Sequence, residues 1–243
     1  MQKAQKLIVG NWKMYGQPAT AAALIQHLVA LDTPAVQVVI CPPATLLTSV
    51  AWQLSGSGMG LGAQDCHAQK EGAFTGDVSA DMLKAAGCSY VIVGHSERRH
   101  YHQETDAQVR SKAVAAIAAG LIPIICIGES LADREAGRAE AVVQTQLQAS
   151  LPETAALNHF VLAYEPVWAI GSGKTPTSHD IEQMHAAIRQ ALPDRLKEAA
   201  ILYGGSVKAA NAKEILALAG VNGVLVGGAS LKADEFSTII ASA

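Results

Sequence analysis

The chain alternates short apolar runs with longer stretches in which apolar residues recur at helical spacing. The first run covers residues 7–10, and a helix is expected over 19–31 with Pro18 at its start, where a missing N–H costs nothing. Further apolar runs fall at 36–41, 59–63, 90–93, 121–127, 160–163, 199–202 and 223–226. Helical stretches follow them in turn at 44–54, 79–86, 106–119, 138–149, 178–192, 209–219 and 234–240. The runs are nearly continuous rather than alternating, as in strands covered on both faces. Eight strand–helix units in 243 residues predict a closed (β/α)8 barrel, and no linker divides residues 1–243, so one domain is expected. A doubly wound open sheet would ordinarily carry G-x-G-x-x-G after its first strand, and N-W-K-M-Y-G stands there instead.

Barrels of this kind place their chemistry at the C-terminal ends of the strands. The polar residues at those ends are therefore the candidates. Asn11 and Lys13 follow the first run, two apart, and in an extended chain would point the same way. His95, Ser96 and Glu97 follow the fourth run, in V-G-H-S-E-R-R. A histidine at a helix N-terminus can cap the helix, and the positive dipole end disfavours its protonation. Glu165 closes the sixth run, followed by Pro166 and the loop V-W-A-I-G-S-G-K-T. An acid under an apolar loop suits a base beneath a flap that expels water. G-S-G-K-T is not a P-loop, because Trp168 stands where the motif's first glycine belongs. Y-G-G-S-V (203–207) and V-G-G-A-S (226–230) each read as a glycine pair entering a helix. Such turns let backbone N–H groups approach a phosphate.

Composition narrows the partners. A net charge of −3 offers no broad basic surface, so neither nucleic acid nor an anionic membrane is an expected partner. An anionic substrate needs local cations instead. The N-terminus has no signal-peptide apolar segment and no run is long enough to span a bilayer, so a cytoplasmic protein is expected. Cys41, Cys66, Cys88 and Cys126 are scattered without a C-x-x-C pair, which favours packed thiols. His100 and His102 are badly spaced for a metal pair on one helix face, and no metal is expected. One acid, one ammonium, one imidazole and one phosphate cradle suit proton abstraction beside the carbonyl of a small phosphorylated substrate.

At these residues the chain closely resembles the triosephosphate isomerase family. The resemblance rests on G-N-W-K-M (10–14), G-A-F-T-G (72–76), V-I-V-G-H-S-E-R-R (91–99), I-C-I-G-E (125–129), A-Y-E-P-V-W-A-I-G-S-G-K (163–174), Y-G-G-S-V (203–207) and L-V-G-G-A-S-L (225–231), which span the chain in order. It implies cofactor-independent interconversion of dihydroxyacetone phosphate and D-glyceraldehyde 3-phosphate, in glycolysis, gluconeogenesis and the pentose phosphate pathway. It implies Glu165 as base, neutral His95 as electrophile, Lys13 as the positive charge with Glu97 beside it, and Asn11 orienting the substrate. Gly171, Ser206, Gly227 and Gly228 would hold the phosphate. It also implies a homodimer in which the 65–79 loop inserts into the partner, bringing Thr75 near the partner's site. Asp77, Ser172 and Asn222 depart from the family's usual Glu, Thr and Asp, with weaker contacts expected from Asp77 to Arg98 and from Asn222 to Arg189.

Overall fold

The computed structural model describes residues 5–31, 33, 35–153, 156, 159–170 and 175–243. Eight strands close into a parallel barrel in sequence order. They are β1 (Lys6–Asn11), β2 (Val36–Cys41), β3 (Gly60–Ala63), β4 (Tyr90–Val93), β5 (Ile122–Ile127), β6 (Val161–Tyr164), β7 (Ile201–Tyr203) and β8 (Gly223–Val226). Closure is made by β1 and β8, with Val9 opposite Leu225 and Gly10 opposite Val226.

The helices run α1 (Pro18–Val29), α2 (Leu47–Leu54), α3 (Ala80–Ala85), α4 (Ser96–Tyr101), α5 (Asp106–Ala118), α6 (Leu131–Glu135), α7 (Ala139–Ser150), α8 (Ser178–Ala191), α9 (Ala212–Ala217) and α10 (Ala233–Ala241). The short α4 and α6 lie inside stretches where the apolar pattern marks no helix. Each is instead started by a cap: His95 accepts the Glu97 N–H, and Ser130 accepts that of Asp133. The expected helix at 209–219 shortens to α9. Asn211 spends its amide on the chain before it, taking the Lys208 N–H at 2.8 Å and donating to Ser206 O at 3.0 Å.

The near-continuous apolar runs reflect two cores. Alternate strand residues, among them Val9, Val39, Ile92, Ile124, Ala163, Leu202 and Leu225, fill the barrel interior. The residues between them, such as Ile8, Ile40, Val93, Ile125 and Leu162, pack outward against the helices. This two-residue alternation carries past the strand ends. Two beyond Val9 is Asn11, and two beyond Ala163 is Glu165. Two beyond Cys126, Leu202 and Leu225 are Gly128, Gly204 and Gly227. On five strands the interior positions at the top of the barrel are thus polar or without side chains, and a cavity opens there.

Candidate active site

The cavity at the C-terminal end of the barrel has a volume of about 680 Å³, within the ordinary range for small-molecule sites. Asn11, Lys13, His95, Glu97, Glu165 and Ser206 all line it, together with Gly227 and Gly228. Eight of the ten residues singled out from the sequence therefore share one cavity. Gly171 lies outside the described residues. Thr75 is exposed on the 65–79 loop and does not line this cavity.

Glu165 is positioned by what surrounds its backbone. A Cβ at residue 128 would stand 1.7 Å from the Glu165 carbonyl oxygen, so only glycine fits there. A Cβ at residue 204 would stand 2.9 Å from Glu165 Cγ. The side chain is buried and Oε2 accepts the Ser96 N–H at 2.8 Å, at the first turn of α4. Oε1 lies 2.9 Å from His95 Nε2. Burial opposes the negative charge. The facing imidazole, the Ser96 N–H and Lys13 outweigh it and hold the Glu165 pKa below its ordinary value.

His95 caps α4, its Nδ1 accepting the Glu97 N–H at 3.2 Å. A nitrogen that accepts a hydrogen bond carries no proton, so the ring proton sits on Nε2, facing Glu165. Burial opposes the imidazolium, while Glu165 and Glu97 favour it and draw the His95 pKa upward. The neutral tautomer nevertheless fits the contacts better. A second ring proton would set Nδ1–H against the Glu97 N–H at the positive end of the helix.

Lys13 reaches the cavity by a route that differs from strand alternation. Its backbone is left-handed, with φ of 53°, a strained conformation for a lysine. The Lys13 N–H donates to Asn11 Oδ1 at 3.0 Å, and Gln64 Nε2 donates to the Lys13 carbonyl at 2.8 Å. Nζ ends 2.6 Å from Glu97 Oε1. The turn at Lys13, not a straight strand, brings ammonium and carboxamide into the same space.

The two glycine turns differ from one another. Gly227 and Gly228 lead directly into a single 3-10 turn (Gly228–Leu231), whereas Gly204 and Gly205 lead into an open loop that reaches α9 only at Ala212. Ser206 Oγ donates to the Ala169 carbonyl at 3.0 Å, linking this loop to the segment after Glu165. That segment begins with a 3-10 turn, Val167–Ala169. Trp168 Nε1 and the Tyr164 hydroxyl both donate to Glu129 Oε1, at 2.8 and 3.1 Å.

Sequence reasoning did not pick out the Ser96 N–H or Gly128, and it read Gly204 as part of a phosphate turn rather than as clearance for Glu165. Only I-C-I-G-E, quoted without a role, pointed towards Gly128. Among the described residues no cluster of three or more metal-ligating side chains is found, and no helix is long and apolar enough to cross a membrane. All four cysteines are buried and unpaired.

A family model described as triosephosphate isomerase matches residues 6–243. The chain belongs to the triosephosphate isomerase family. It is 55% identical to the triosephosphate isomerase of Afipia carboxidovorans, covering 98% of this chain and 97% of that one. It is 51% identical to that of Acidiphilium cryptum, covering 98% of each. A crystal structure of triosephosphate isomerase from Bartonella henselae superposes with a TM-score of 0.91 at 44% identity, again covering 98% of each chain. The contacts expected of residues 77 and 222 are only partly made. Within the chain Asp77 faces His67 at 3.6 Å, while Arg98 pairs with Asp65 at 2.9 Å and Glu104 at 2.5 Å. Asn222 Oδ1 does accept from Arg189, at 2.9 Å.

Proposed function

We propose that the chain interconverts dihydroxyacetone phosphate and D-glyceraldehyde 3-phosphate, without a cofactor, through an enediolate. The observation that carries this reading is the buried Glu165 carboxylate, its Oε1 2.9 Å from His95 Nε2, in the cavity that His95 and Lys13 also line. Glu165 takes the proton from one of the two carbons beside oxygen and returns it to the other. The low pKa keeps it ionised at neutral pH. His95 donates Nε2–H to the substrate oxygens, which become more basic as the enediolate forms. Lys13 adds positive charge at the same oxygens, so both groups act most strongly on the transition state. Glu97 holds the Lys13 ammonium, and Asn11 fixes the turn that delivers it. Ser206, Gly227 and Gly228, with Gly171, hold the phosphate through backbone N–H groups, and the loop after Glu165 excludes water. The test is a coupled assay with glyceraldehyde 3-phosphate, together with solvent deuterium incorporation at C1 of dihydroxyacetone phosphate. Absence of both would overturn the reading.

We further propose one domain over residues 1–243 and a homodimer built through the 65–79 loop, working in the cytoplasm in glycolysis, gluconeogenesis and the pentose phosphate pathway. Met14 is 94% and Phe74 44% exposed, and a partner seated on this loop would cover both. Met14, Gly76 and Asp77 share a cleft of about 590 Å³ beside Lys13. A partner's Thr75 loop entering that cleft would cover these side chains and wall the active site. Neither nucleic acid nor a membrane is a proposed partner. Sedimentation at micromolar concentration showing only monomers would overturn the dimer.

A further inference from the structure

Beyond Ile125 one side of β5 has no strand beside it. β4 and β5 pair as far as Val93 opposite Ile125, whereas β5 and β6 pair on to Ile127 opposite Tyr164. β4 stops because Gly94, with φ of 68°, turns the chain away towards α4. The polar backbone groups of β5 alternate between its two neighbours. The Ile122 N–H bonds Ser89 O on the β4 side, and Ile127 O takes the Glu165 N–H at 2.8 Å on the β6 side. Both backbone groups of Gly128 therefore point past the end of β4. If β4 ran on, the Gly128 N–H would meet the carbonyl of residue 95. That carbonyl is instead taken by the Arg98 and Arg99 N–H groups of α4. Backbone groups in such a place need another partner.

The partner comes from α7. Gln146 Oε1 accepts the Gly128 N–H at 2.9 Å, and Gln146 Nε2 donates to the Gly128 carbonyl at 3.0 Å. One carboxamide thus meets one residue as a neighbouring strand would, with an acceptor and a donor side by side. Val143, Gln146 and Ser150 fall on a single stripe of α7, and both Val143 and Ser150 are buried. Ser150 serves the same strand end: Arg99 Nη2 donates to Ser150 Oγ and to the Cys126 carbonyl, each at 3.1 Å. A stripe that faces the barrel ordinarily carries apolar residues, and here two of its positions are spent on the exit of β5.

What Gln146 holds lies directly against Glu165. The Gly128 backbone packs on the Glu165 carbonyl with no room for a Cβ, and the preceding carbonyl, of Ile127, carries the Glu165 N–H. A displaced Gly128 peptide therefore displaces the backbone from which the carboxylate projects. Gln146 itself does not line the cavity. We propose that Gln146 is a positioning residue for Glu165, its carboxamide replacing the missing strand and fixing the Gly128 peptide on which the base is laid. The inference rests on the reading of Glu165 as the base of the isomerase.

The test uses Gln146→Met and Gln146→Glu, with folding followed by circular dichroism. Methionine keeps the length of the side chain and removes both hydrogen bonds. Its kcat should fall about tenfold, since an ångström of misplacement at the reacting atoms costs up to about a hundredfold. KM, and the inhibition constant of inorganic phosphate, should stay within about twofold, because the phosphate turns are on other strands. An ionised glutamate accepts the Gly128 N–H but sets its second oxygen against the Gly128 carbonyl. Once protonated, its O–H donates to that carbonyl and both bonds return. The kcat of Gln146→Glu, divided by that of Gln146→Met at the same pH, should therefore rise towards acid. Parental kcat in folded Gln146→Met overturns the proposal. So does a fall in kcat matched by an equal weakening of phosphate inhibition, or a ratio of the two variants that is flat with pH. Should Gln146→Met not fold, the pH profile of Gln146→Glu against the parent decides in the same way. If the unaltered enzyme does not isomerise at all, the isomerase reading fails instead, and that control separates the two failures.

Discussion

Glu165 accepts the Ser96 backbone N–H at 2.8 Å, which joins the end of β6 to the first turn of the helix that His95 caps. The carboxylate and the imidazole are thereby held by one backbone turn. The helix end favours the carboxylate's negative charge and disfavours a second proton on the ring that caps it.

Glu165→Gln preserves the shape of this contact and removes the base. The expected outcome is a fall in kcat of roughly a hundredfold or more with KM changed far less, because proton transfer belongs to the transition state and phosphate contacts to both states. Steady-state kinetics in both directions check it, and near-parental turnover would remove Glu165 from its role.

Gly204 tests how closely that geometry is held. Its absent Cβ leaves room for Glu165 Cγ, 2.9 Å from where the Cβ would stand. Gly204→Ala should push the carboxylate aside and lower kcat about tenfold or more, while circular dichroism stays that of the parent. Unaltered kcat in a folded Gly204→Ala protein would show that the base tolerates displacement.

His185 makes a prediction about acid stability. Burial drives its pKa down from 6.5 to about 4, and its Nε2 has no hydrogen-bond partner among the described residues. The unfolded chain therefore binds a proton below about pH 6.5 that the folded chain refuses until about pH 4. Stability from this residue is unaffected above that window and falls as pH drops through it, by on the order of 3 kcal/mol in full. Urea unfolding of the parent and of His185→Gln, at pH 7 and at pH 4.5, measures the difference. The parent should lose more stability on acidification than the variant, and equal losses would contradict the prediction.

Asn222 joins β8 to the helix α8 and the start of β7. Its Oδ1 accepts from Arg189 Nη2 and from the Ile201 N–H, each at 2.9 Å. Asn222→Asp should turn both into charge-assisted hydrogen bonds and add about 1 kcal/mol, or about 2–4 °C in Tm. The gain should vanish in acid as the new carboxylate protonates. A Tm at or below that of the parent would show that desolvating the carboxylate cancels the pair.

The order and type of the strands were legible in the chain because each is covered on both faces and so must be apolar throughout. β2, β4 and β8 have the bounds that the apolar pattern predicts. The residues that line the cavity were legible too, because a polar side chain at the end of such a run has no packing reason to be there. Asn11 and Glu165 are in this class. Caps were only partly legible: α4 and α6 are too short to show a period, and their starts depend on side-chain hydrogen bonds.

What the linear order could not decide is which groups meet. Glu165 and Ser96 are 69 positions apart and Lys13 and Glu97 are 84 apart, and barrel closure alone sets those distances. The left-handed turn at Lys13, the glycine clearance around Glu165 and the paired hydrogen bonds of Gln146 to Gly128 are likewise tertiary facts. Each depends on atoms from a different βα unit occupying the same few ångströms. Local pattern encodes what a segment buries, whereas the meeting of segments is settled only when all eight strands share one axis.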